Sequence, residues 1–235
     1  MKLDRSSIQC FVFLVLLASL FTASSTVAGP PLLCHAFDIG NAKSLPWISH
    51  DWNLTGKETY DINNLVADTI SILDTDSTVL VHMETLRRAT LYSQRDHNAS
   101  KRLLIKLMAR SDSAAQNSST PALALFDLGY FAESLKQFHW IHKDAANPAQ
   151  GFDGFTLVDK AIQLRGNDPQ MEFAAAIITL NVEGSKHPEH AQKAITGAKN
   201  DLLLARNLSD RFHDEQSETM AEMISSTVNV KVAQQ

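Results

Sequence analysis

Cysteine is nearly missing from this chain. Cys10 and Cys34 are the whole complement among 235 residues, too few for the disulfide framework of a small secreted module. Residues 1–28 hold the first of them. Lys2 and Arg5 make a positive start, Ile8 to Phe21 an apolar run, and Thr26 and Ala28 put small residues at both positions before a cleavage point after Ala28. That layout reads as a secretory signal. The apolar run falls short of the ~20 residues that span a bilayer, and no later stretch is longer, so no transmembrane segment is expected once the signal is cleaved. Cys10 leaves with the signal and Cys34 stands alone, which excludes an intramolecular disulfide. A c-type haem attachment would need a second cysteine three residues ahead of Cys34-His35, where Pro31 stands. A lipoprotein signal would need a small residue where Leu33 stands.

Positive charge is scarce too. Removing residues 1–28 takes away Lys2, Arg5 and Asp4, a net +1, and moves the formal charge from −5 to −6. No basic stripe marks a nucleic-acid surface. Also missing are the Gly-x-Ser-x-Gly elbow, the phosphate-cradling glycine loop and the dinucleotide fingerprint. The glycosylation-type patterns at Asn53, Asn98, Asn117 and Asn207 read as chance, since Asn98 and Asn207 sit in or beside helical patterns.

What is present is helical periodicity behind an irregular start. Residues 29–56 are punctuated by Gly29-Pro30-Pro31, Gly40, Pro46 and Gly56, yet carry Leu32, Leu33, Phe37, Leu45, Trp47 and Trp52. A free linker would be poorer in aromatics, so an extended arm packed along the helices is expected. Residues 57–213 then read as an all-α domain of seven or eight antiparallel helices stacked as hairpins. The expected spans begin with a helix from Thr59 and one over Thr78–Gln94, in which Glu84, Arg87 and Arg88 lie off the buried face and pair along the helix. A third covers Ala99–Arg110, with Met108 inside and Arg110 outside, followed by a polar loop over 111–120. A fourth covers Pro121–Lys143, where Gly129 suggests close approach of another helix. Gly154–Arg165, Pro169–Asn181 and a single long helix from Pro188 to Phe212 complete the set. Gly166-Asn167-Asp168-Pro169 is a glycine stop, an aspartate cap and a first-turn proline. Residues 214–235 are an acidic tail, helical or disordered.

The stretch Lys160–Thr179 resembles the junction between two tetratricopeptide repeats. Ala161, Ile162, Leu164, Asn167, Asp168, Pro169 and Ala176 match; Gly166 stands where the family usually has proline and Glu172 where it usually has a large aromatic. The resemblance covers one hairpin junction. It implies stacked hairpins with a concave face for peptides or partner proteins. Gly29–Trp47 also looks like the start of a family of uncharacterised exported bacterial proteins, which implies a periplasmic or extracellular place and no activity.

Cys34, His35 and His50 are the candidate metal ligands, because a thiolate beside imidazoles is a soft metal site or a nucleophile. His139 and His142, three apart on one helix, can join them. No complete catalytic set accompanies Cys34, and no cofactor is expected. His187-Pro-Glu-His190 reads as a capping turn. The leading expectation is an exported binding or scaffold protein that engages a peptide, protein or envelope partner along a groove, with Phe37, Trp47 and Trp52 as aromatic anchors. A metal- or haem-binding protein is the alternative, and a hydrolase using Cys34 stands third. Nothing in the pattern sets the oligomeric state.

Overall fold

The computed structural model describes residues 30–48, 54–75, 78–117, 121–143, 147–182 and 184–212. The expected signal, the expected tail, His50 and Trp52 lie outside them. Every regular element among the described residues is a helix. After a short 3-10 turn, Ile62–Asn64, come α1 (Leu65–Thr75), α2 (Val79–Tyr92), α3 (His97–Asn117), α4 (Pro121–Ile141), α5 (Gly154–Arg165), α6 (Pro169–Thr179), α7 (His187–Gly197) and α8 (Leu202–Phe212). No helix among the described residues is long and apolar enough to cross a membrane.

Helix α2 is the axis of the packing. Every one of its residues except Arg88 is buried, whereas an ordinary surface helix buries a single stripe. Glu84 and Arg87 were expected off the buried face; they are 0% and 3% exposed. Ionised groups at such depth survive only when paired. His82 Nδ1 lies 2.6 Å from Asp127 Oδ1 of α4. Asp127 Oδ2 accepts from Arg110 of α3 at 2.5 Å, and Arg110 also bonds Asp74 at 2.8 Å and the Leu73 carbonyl at 2.9 Å. One polar chain thus ties α1, α2, α3 and α4 together. Arg110, expected to face solvent, is its hinge.

Other helix ends follow local chemistry. Gly166 adopts a left-handed conformation (φ 79°), and Asp168 then caps α6 by accepting from Gln170 and Met171 N–H, with Pro169 in the first turn. Helix α3 runs on to Asn117 through the stretch expected as a loop, because alanines and Gln116 support a helix and no glycine or proline interrupts before Pro121. Met108 is 39% exposed on it, not inside. The expected long last helix is two. The chain tightens into a 3-10 turn at Ala198–Asn200, and extended Asp201 (φ −128°) restarts it as α8 by accepting from Leu204 N–H at 2.9 Å. His187 and His190 are buried in α7, His187 against the Ala176 carbonyl and His190 2.5 Å from Glu172. The position held by Glu172 in place of an aromatic is therefore one half of a buried pair.

Helices α4 and α5 touch through backbone. A Cβ on Gly129 would fall 2.5 Å from the Gly154 carbonyl oxygen and 2.9 Å from Leu157 Cβ. Alanine gains about 1 kcal/mol of helix propensity over glycine, but overpacking against rigid backbone costs about 1–3 kcal/mol. Gly129→Ala should therefore lower stability to urea, and an unchanged or raised midpoint would contradict the close crossing. Asp127→Ala, which takes the buried carboxylate away from His82 and Arg110, should cost about 3–5 kcal/mol in the same assay.

Candidate functional site

The arm lies on the helices, and the helices hold it mostly by its main chain. Its anchors are apolar: Leu32, Leu33 and Leu45 are fully buried and Phe37 is 3% exposed. Its first turn is local, with Leu33 and Cys34 N–H both donating to the Pro30 carbonyl. Between residues 38 and 42 it turns again, where Gly40 (φ 60°) donates to Asp38 Oδ1.

Side chains from three helices read the backbone between the anchors. From α2, Arg87 Nη1 donates to the Leu33 carbonyl at 2.9 Å, Arg88 Nη1 to that of Leu45, and Tyr92 Oη to that of Pro46 at 2.5 Å. Glu84 accepts Phe37 N–H at 3.0 Å. From α4, Gln137 accepts Leu32 N–H at 2.8 Å. From α8, Arg211 donates to the Pro31 carbonyl at 2.7 Å and to the His35 carbonyl. Asn207 takes both backbone groups of Asp38: its Oδ1 accepts the N–H and its Nδ2 donates to the C=O, each at 2.9 Å. A carboxamide is the complement of a peptide unit, so this contact reads backbone and ignores the side chain.

Aromatic contacts finish the seat. Arg211 lies 4.5 Å above the centre of the Phe37 ring, whose edge meets Phe173 at 6.1 Å. Trp47 meets Tyr92 at 5.5 Å, with Arg87 and Arg88 over its ring at 5.3 and 5.9 Å. A cavity of about 340 Å³ opens on the seam, lined by residues 36–40, Trp47 and Arg88. Glu84 sets the electrostatics: it is bonded to Arg87 at 2.8 Å and to Arg88 at 2.6 Å. Burial holds Arg211 down to about 10, with the Arg87 charge acting in the same direction. Burial also pushes the Cys34 thiol up, against the pull of Arg211 and Arg87.

The expected residues separate on inspection. Cys34 and His35 sit half-buried in the arm's first turn. Phe37 is an inward anchor and Trp47 a half-buried one. His142 lies just past α4, its ring tilted 38° to that of Phe138 at 4.6 Å. Among the described residues no group of three or more His, Cys, Asp or Glu is placed to hold a metal ion. The residues that do most at the seam, Glu84, Asn207 and Arg211, were not singled out from sequence. One signal existed: Asn207 and Arg211 are polar residues four apart beside the apolar stripe Leu204, Leu208, Phe212 on α8.

Comparison with protein-family models, with curated proteins and with solved structures finds no match. The seam must therefore be read from its own chemistry. A thiol raised by burial ionises later than a free one. In the Cys10→Ser chain, the pH profile of Cys34 alkylation by iodoacetamide should lie above that of the same chain in denaturing urea. Coincident profiles would mean that the arm is not seated.

Proposed function

We propose that this chain is an exported peptide-binding protein whose helical surface holds an apolar segment without regular structure by its main chain, and that residues 30–48 are the resident occupant. The observation that carries this reading is the double grip of Asn207 on Asp38, reinforced by guanidinium donors on the carbonyls of Pro31, Leu33, His35 and Leu45. Contacts of this kind tolerate sequence change, while buried pockets for leucine and phenylalanine supply register. The tetratricopeptide-like junction at residues 160–179 supports the reading, because that family presents concave faces to peptides. The signal-like residues 1–28 support a place in the periplasm or outside the cell.

A tethered arm competes at an effective concentration in the millimolar range. An incoming segment is therefore seen most readily when the arm is weakened. Phe37→Ala removes an anchor worth about 3–5 kcal/mol. A fluorescent peptide of residues 30–48, with Cys34→Ser, should bind the full-length Phe37→Ala chain at least about tenfold more tightly than the unaltered chain by anisotropy. A peptide of scrambled order should bind neither. Absence of binding to both chains at about millimolar peptide would sink the reading.

A further inference from the structure

Four guanidinia face the arm: Arg206 meets the arm's own Asp38 at 3.6 Å at its exposed edge, while Arg87, Arg88 and Arg211 lie deeper. Glu84 serves Arg87 and Arg88, while both hydrogen bonds of Arg211 end on neutral carbonyl oxygens. Asp210, next to Arg211 in the chain, and Glu84 also attract it. Two donors in this cluster have nothing to bond. Arg211 Nε is buried without a hydrogen-bond partner, and so is the hydroxyl of Tyr130, a residue 0% exposed. They share one environment: Arg211, Glu84 and Arg87 all act electrostatically on Tyr130. Buried donors left open cost stability.

The arm brings little to offset this. Arg87 holds the carbonyl of Leu33 and Arg211 those of Pro31 and His35, so the two guanidinia close on Cys34 from either side along the chain. The residue between them offers a thiol, a weak acceptor. A carboxylate there would meet two cations whose desolvation the fold already bears, through charge-assisted bonds about twice as strong as neutral ones.

We propose that the groove prefers, over its own arm, an apolar segment that turns as the arm does and carries an aspartate or glutamate at the place of Cys34. The proposal rests on the reading of the groove as a peptide site, and names the chemistry of the incoming ligand. The resident arm is then the weaker occupant, one that an acidic segment displaces.

Two arm peptides test it against the full-length Phe37→Ala chain, one with Cys34→Asp and one with the neutral isostere Cys34→Asn. The acidic peptide should bind about tenfold more tightly at low ionic strength, with the gap closing as salt shortens the Debye length to about 3 Å near 1 M. Adding Arg211→Gln to the protein should abolish the preference. Equal binding of the two peptides, or tighter binding of the neutral one, overturns the acidic subsite while leaving the groove intact. If neither peptide binds, the groove reading fails, and the subsite is decided within the full-length protein. There the Cys34→Asp chain should melt about 2–4 °C above the Cys34→Asn chain. An equal or lower melting temperature overturns it.

Discussion

A single carboxylate in the middle of a buried helix organises the front of this molecule. Glu84 is fully enclosed, yet it orders Arg87 and Arg88 and receives the Phe37 N–H. Those arginines in turn hold the carbonyls of Leu33 and Leu45 and cover the Trp47 ring. Without the negative charge, two guanidinia one residue apart would repel each other against an apolar core. The arm would then face mobile cations in place of a fixed row of donors. The seat of the arm is thus an electrostatic construction first and an apolar one second. The buried leucines give it depth, and Glu84 gives it geometry.

The same economy recurs elsewhere in the core. Asp127 gathers His82 and Arg110, and Glu172 gathers His190 with Lys193 at 3.6 Å. Each acid joins separate helices, and each sits where an apolar residue would pack with less penalty. Buried pairs of this kind select one arrangement of helices among several with similar apolar burial. In this chain they do so at the joints between α2 and α4 and between α6 and α7.

The fold was largely legible from the sequence, for reasons that are local. Gly166 and Asp168 stop one helix and start the next by chemistry that needs no partner, and both act as read. Gly129 pointed to a close crossing and Gly154 supplies it. The reading lost its footing where tertiary context decides. The apolar stripe from Pro188 to Phe212 is continuous, so periodicity alone could not show the break at Ala198–Asn200. The charged trio Glu84, Arg87 and Arg88 has spacing that suits a solvated face as well as a buried network; only the arm laid over it distinguishes the two. At the seam, Phe37 and Trp47 were visible as aromatics. Asn207 was met only in a glycosylation-type pattern read as chance, and here it faces the backbone of Asp38.

The grip on the arm also has a consequence of timing. Arg211 binds Pro31 across 180 positions of chain, and Asn207 binds Asp38 across 169. On a chain made from its N-terminus, the segment that follows residue 29 is completed by α8, 169 to 180 residues later. Helices α2 and α4 can gather while α8 is still absent, but the double grip on Asp38 cannot form. Contacts of such separation are slow to close, because the entropy of the enclosed loop is lost before any bond rewards it. Through most of synthesis the leucines at 32 and 33 therefore have an incomplete seat, and that seat closes only when residues 207–211 arrive.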